Sequence, residues 1–261
     1  MKSEKEINES ENNLEKIVSF LDTELRIAQI KDRSCNGLQV QGNNSVKKVA
    51  LVVDACIEAY KLAAKRDCQF IIAHHGIIWG GLSSITGQAY NHIKYLVKNN
   101  LNLYAAHLPL DLHPVVGNNA RLASMIGLKK LVPFGLYNGV NIGYEGELET
   151  ETKLDEIVKT LCLKLDTQCT VLPFGKEMVK RVAIISGGGS GELDEAIRKG
   201  VDCFLSGEPA HQNYHPALEA GINVIYAGHY YTEKPGVQAL GNLLKEKFNL
   251  EIEFLDVPTG F

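Results

Sequence analysis

Six residues of one kind of chemistry recur at one kind of place in this chain. "FIIAHHG" puts His74 and His75 side by side at the end of an apolar run. "LNLYAAHLPLD" places His107 four residues before Asp111, and "INVIYAGHYYTE" places His229 four residues before Glu233. Each His-x3-carboxylate element stands just past an apolar segment with strand character. Imidazoles mixed with carboxylates suit zinc, iron, manganese, cobalt or nickel rather than calcium, which prefers oxygen ligands almost alone. No cysteine belongs to the set, which argues against a structural zinc site. Two carboxylates and at least three histidines exceed the needs of one ion. A carboxylate can bridge two ions about 3.5–4 Å apart, as in two-metal hydrolytic sites. The bland alternative is a hydrogen-bonded core histidine, the usual role of a lone imidazole at a strand end. Two matching elements plus an adjacent pair, all at the same kind of position, weigh against it.

The elements that must position these residues read as alternating strands and helices. Buried strands are expected at 47–55, 68–75 and 101–107, with helices at 13–25, 56–66, 88–99 and 117–126. Continuous apolar runs bounded by turns and separated by helices point to mainly parallel sheets covered on both faces. Between about 130 and 180 the pattern changes to a hairpin with an Asn138-Gly139 turn, an amphipathic helix and a short apolar segment. The first pattern then returns. "VALVVDA" is matched by "VAIISGG", "DCQFIIAHHG" by "DCFLSGEPA", and the two His-x3-carboxylate segments by each other. We therefore expect an α/β fold of two similar halves, 1–130 together with 181–261, forming one unit with the metal site in the cleft between them. Residues 131–180 are expected to be a connecting hairpin and helix, with no large inserted domain. In a strand, neighbouring side chains point to opposite faces. At a strand end the backbone can twist, so His74 could serve one ion and His75 the other.

Composition excludes several classes. The 261 residues are 45% hydrophobic and carry a formal net charge of -4. No basic surplus indicates nucleic acid. The polar start "MKSEKEINESENN" lacks the apolar core of a secretory signal, and no stretch reaches the roughly 18 apolar residues of a membrane span. The six cysteines form no CxxC pair and read as buried thiols of a reducing cytoplasm. The turn "SGGGSGE" (186–192) matches neither common phosphate-binding glycine pattern, and reads as well as a tight turn that lets backbone pass close to the site. His211 and His215 are four apart, but Pro216 should push His215 out of the helix, which favours a pocket wall over a ligand pair. His113 is placed to orient its loop or face the pocket, and His92 to lie on the surface. Trp79 is readable either as core or as an aromatic wall against a base.

"IIAHHGIIWGG", "HLPLDLHPVVGNNARLASMIGL", "RVAIISGGGSG", "FLSGE" and "AGHYYTEKPGVQAL", with the earlier "CNGLQVQG", resemble in order the signature blocks of the type 2 GTP cyclohydrolase I family, also called Nif-three-like proteins. The resemblance spans most of the chain and is carried mainly by the long histidine blocks. It implies a dinuclear metal centre in an α/β fold, often assembled as a homohexamer. Carried over by motif, the ligands are His74, His75, Asp111, His229 and Glu233, with Asp111 or Glu233 bridging; His107 belongs to the same motif and is placed either beside the metals or behind their ligands, and in a hydrolase it could shuttle protons. The implied cofactors are two divalent ions, and the implied substrate is a small molecule of nucleotide type, opened at its guanine ring by activated water. A non-catalytic metal-binding scaffold and a two-metal phosphoesterase are the alternatives.

Overall fold

The computed structural model describes residues 13–81 and 84–261; the polar tip at 1–12 lies outside the described residues. The chain runs α1 (Leu14–Glu24), β1 (Gly37–Val40), β2 (Lys48–Asp54), α2 (Ile57–Lys65), β3 (Phe70–His75), α3 (Gly87–Lys98), β4 (Asn102–Ala105), α4 (Leu108–Asp111) and α5 (Asn118–Met125). It continues through β5 (Leu128–Tyr137), β6 (Val140–Lys153), α6 (Leu154–Leu165), β7 (Thr170–Pro173), β8 (Met178–Ile185), α7 (Leu193–Lys199), β9 (Cys203–Ser206), α8 (Tyr214–Ala220), β10 (Asn223–Tyr226), α9 (His229–Phe248) and β11 (Glu251–Phe254). Among the described residues no helix is long and apolar enough to cross a membrane.

Two compact units divide these elements: residues 1–110 with 237–257, and 111–236 with 258–261. The first holds a five-stranded sheet of order β1-β4-β3-β2-β11. Its β4-β3-β2-β11 pairings are parallel, and β1 adds antiparallel at one edge. β2 reads "KVALVVD" and is buried through its centre, as a parallel strand covered on both faces must be. Ala50, Val52, Ile71, Ala73 and Leu103 from the sheet pack with Tyr60 and Ala63 of α2 and Leu96 of α3 into one apolar cluster. α2 starts at Cys56, whose Sγ accepts the Ala59 amide 3.4 Å away as an N-cap.

The second unit holds a six-stranded sheet of order β5-β6-β8-β9-β10-β7. β8, β9 and β10 are parallel, flanked by antiparallel β6 and β5 on one side and antiparallel β7 on the other. Residues 128–173 thus supply three of its strands. The β5–β6 turn is Asn138-Gly139, both at positive φ, as its sequence predicts. Leu154, Ile157, Leu161 and Leu165 line the buried face of α6 and pack with Val182, Ile184, Leu205 and Ile225. The fold is therefore α/β with two sheets whose central strands run parallel.

Two elements differ from the sequence reading. β1 falls in a stretch without apolar period and is only four residues long, too short for periodicity to mark. The sequence pattern predicts a last helix at 234–247; α9 instead begins at His229 and carries Pro235 inside it. Helix continues past the proline because Asn118 Oδ1 accepts the Gly236 amide at 2.7 Å, giving that N–H a partner outside the helix ladder.

Candidate metal-binding groups

In the first unit the ends of β3 and β4 gather three imidazoles. Pairing of β3 with β4 stops at Ala73–Ala105, while pairing with β2 continues to His75. At this half-released strand end His74 and His75 do not diverge as strand alternation predicts; their ring centroids lie 4.7 Å apart. The His107 ring is 5.2 Å from that of His74 and 5.5 Å from that of His75. Each of the three offers a nitrogen within 4.8 Å of the others.

Every ring is held by the same device. His74, fully buried, meets Ala106 O through Nδ1 at 2.8 Å. His75 Nδ1 meets Asp54 Oδ1 at 2.8 Å, and His107 Nδ1 meets Asp32 Oδ2 at 2.9 Å. Each of these oxygens accepts, so Nδ1 is the donor and Nε2 is the nitrogen that a metal would take. This is the arrangement that orients imidazoles towards metals. Asp32 has its own scaffold: it accepts the Ser34 and Leu108 amides and the Asn36 side-chain amide. Burial alone would raise its pKa, but the hydrogen bond and charge of His107, with the hydrogen bonds of Asn36 and Ser34, outweigh it and hold the carboxyl well below the usual range. Asn36 Oδ1 also accepts the His107 amide.

The second unit presents a different mixture. His229 opens α9, and Glu233 lies one turn on, with His229 Nε2 3.2 Å from Glu233 Oε1. His229 Nδ1 meets Glu208 Oε2 at 3.1 Å, so a fourth ring is anchored through Nδ1. Burial would lower the His229 pKa; the adjacent Glu233 and Glu208 raise it to about 9 before any ion binds. Asp111 is buried, its Oδ1 accepting from Asn118 Nδ2 at 2.8 Å and from Ser186 Oγ at 3.1 Å. The "SGGGSG" turn passes directly against this group. Gly187 sits at φ +58, and a Cβ there would run into Glu233 Oε1 and stand 3.1 Å from His229 Nε2. The Gly187 amide is taken by Thr232 Oγ1 at 2.9 Å, which supports the tight-turn reading rather than a phosphate cradle.

The histidines outside these groups resolve differently. His215 lies inside α8, in its first turn, where Pro216 costs little because first-turn amides have no helical partner. With His211, Tyr214 and Tyr226 it lines a cavity of about 270 Å³. His92 is packed rather than superficial: its Nδ1 is 3.1 Å from Tyr60 Oη, and the rings meet edge-on. His113 Nδ1 accepts the Val115 and Val116 amides, fixing the loop after Asp111. Asp54 and Glu208 escaped the sequence reading although both sit at strand ends, where the rule that found the histidines would have found them. Asp32, in the unpatterned "KDRSCNG", gave no such signal.

The donors present are nitrogen and carboxylate oxygen, oriented and partly buried, and they could hold a metal ion of the borderline transition type. Two parallel-cored sheets with such groups at their strand ends define the class: an α/β protein with candidate metal-binding groups. The chain belongs to the Duf34/NIF3 (NGG1p interacting factor 3) family, whose model matches residues 12–260. It is 47% identical over 248 residues to a protein of Archaeoglobus fulgidus named GTP cyclohydrolase 1 type 2 homolog, covering 95% of this chain and 99% of that one. A protein of the same name from Escherichia coli is 38% identical over 246 residues, covering 92% and 96%. The crystal structure of a Thermus thermophilus protein matches with a TM-score of 0.88 at 39% identity, covering 95% of this chain and all of that one.

Proposed function

We propose that this protein is a dinuclear metal-dependent hydrolase acting on a nucleotide, with opening of the guanine ring of GTP as its reaction. His74, His75, Asp111, His229 and Glu233 would hold two divalent ions of the zinc, iron, manganese, cobalt or nickel type, with Asp111 or Glu233 bridging. The observation that carries this reading is the common anchoring of four imidazoles, each through Nδ1 to an oxygen. Core histidines have no reason to share one anchoring nitrogen; metal ligands do. The name of the relatives supports the substrate class.

Bound ions would polarise the electrophilic carbon and acidify a water. The chain's own residues do the rest. Ala106 O and Asp54 fix the His74 and His75 rings, so no rotamer has to be frozen on binding. Asp32, held ionised, keeps the His107 proton on Nδ1 and leaves Nε2 able to take a proton from water and return it to the leaving nitrogen. The resemblance to the type 2 GTP cyclohydrolase I family supports assembly as a homohexamer, and the lack of a CxxC or disulfide pattern among the six cysteines supports a place in the cytoplasm.

Formate release from GTP and metal content, measured on the same preparations of wild type, Asp111→Asn and His229→Ala, test this. Both readings should fall together in the variants. Full activity in a variant that retains no metal would overturn the proposal. Tight metal binding without turnover would fit a scaffold role, and turnover of phosphoesters alone a phosphoesterase.

A further inference from the structure

Trp79 is the chain's single tryptophan, and it is not core: 42% of it is exposed. It stands beside the imidazole cluster, its indole centroid 5.0 Å from that of His107 at 72° and 6.1 Å from that of His75. The indole is only partly withdrawn from water, so part of its apolar surface is left to meet something else. Its backbone is held firmly. Trp79 bridges antiparallel to Ser34, the Cys35 amide donates to Ile78 O, and the Gly80 amide donates to Arg33 O. The indole is held as well, Nε1 donating to Gly76 O at 2.9 Å. The indole N–H is therefore spent inside the protein, and what remains open to solvent is aromatic surface. The same segment that pins Trp79, residues 33–35, adjoins Asp32, which orients His107. Platform and imidazole are thus set by one short stretch of chain.

We infer that Trp79 is a stacking platform for the planar heteroaromatic ring of a small-molecule ligand, of purine size, bound beside the His74–His75–His107 group. His107 meets the indole edge-on and His75 at a tilt, so neither imidazole is stacked on it; a ring stacked on the open indole face at roughly 4.5–7 Å between centroids would stand in the neighbourhood of both. The spent N–H makes the contact one of face and area, indifferent to the ring's hydrogen-bonding pattern. Selection among bases then has to come from other groups. The inference rests on reading the imidazole group as part of a reaction centre.

The single tryptophan makes its own fluorescence a reporter of this position. Zinc-loaded full-length protein is titrated with guanosine monophosphate and, separately, with ribose 5-phosphate, and binding is measured in parallel by calorimetry on wild type, Trp79→Ala and Trp79→Phe. The nucleotide should change the Trp79 emission saturably and the sugar phosphate should not. Trp79→Ala should weaken nucleotide binding about ten- to a hundredfold, with Trp79→Phe recovering most of it. Zinc uptake should be equal in all three. Equal nucleotide affinity in wild type and Trp79→Ala, or no nucleotide binding to a zinc-loaded wild type, would overturn the platform and leave the metal reading intact. Emission that responds to protein concentration but not to nucleotide would also overturn it, and mark the indole as a contact between copies. If wild type takes up no zinc, the metal reading fails, whereas nucleotide binding that still depends on Trp79 supports the platform.

Discussion

The two parallel cores, β2-β3-β4 and β8-β9-β10, use the same frame for opposite chemistry. With Val49 set on Val182, the ladder registers place Gly207 where the first half has His74, Glu208 where it has His75, and Gly187 where it has Asp54. The first half therefore carries a strand-end imidazole steadied by a carboxylate, and the second carries a strand-end carboxylate that steadies an imidazole. His107 and His229 are not equivalent either. Ala105 and Tyr226 share a register position, so His229 stands one residue further beyond its strand than His107, across Gly228 at φ +87. As candidate donors the first unit offers His74, His75 and His107, and the second offers His229, Glu233 and Asp111. A repeated fold can thus divide a candidate donor set by residue type, each half keeping its backbone geometry while exchanging which residue type is presented and which one orients.

The largest test of this division removes a nitrogen donor. His74→Ala should lower metal affinity more than about a hundredfold, beyond the roughly 10–100-fold range expected for losing an orienting partner. Equilibrium dialysis followed by elemental analysis reads it, and unchanged metal content would break the comparison. Next come the orienting carboxylates. Asp54→Asn and Glu208→Gln should each cost about 10–100-fold in the same assay, and because the halves exchange roles, the two losses should be alike. A loss confined to one half would show that only that half binds metal. Gly187→Ala follows, destabilising the chain by about 1–3 kcal/mol through its left-handed backbone and displacing Glu233 as well. Urea unfolding together with metal titration separates the two effects.

A test of the same size as the last concerns acid. Asp32 is depressed in the folded chain, so its contribution to stability is present above its unfolded pKa of about 4 and fades as pH falls below that. Asp32→Asn should remove about 1.5–3 kcal/mol near neutral pH, as for a hydrogen bond to a charged group, and flatten the acid limb of a stability-against-pH curve for metal-free protein. An unaltered acid limb would show that Asp32 orients His107 without stabilising the fold.

The sequence revealed what is repeated and missed what is local. β2, β3, β8 and β10 announce themselves as continuous apolar runs because both their faces are covered. The Asn138-Gly139 turn does so because few other residues accept that backbone. The histidines stood out because two spaced elements and one pair shared a position. β1 was invisible because four residues hold no period. The start of α9 was masked because proline ordinarily marks a first turn, and nothing in the sequence shows that Asn118 would reach Gly236. His92 looked superficial because its helix is polar, while its contact with Tyr60 bridges two helices far apart in sequence. Asp32 has the same character: its role is set by His107, 75 positions away, and only the folded chain makes them neighbours.

The Nδ1 anchors also fix an order of events. A zinc finger folds because its ion gathers the ligands. Here Ala106 O, Asp54, Asp32 and Glu208 hold the four rings through the chain's own hydrogen bonds, so folding can be completed first and loading can follow. A cradle finished in advance would select an ion by fit alone, without folding energy to help, so the ion supplied would weigh as much as the protein's preference in deciding which one is held.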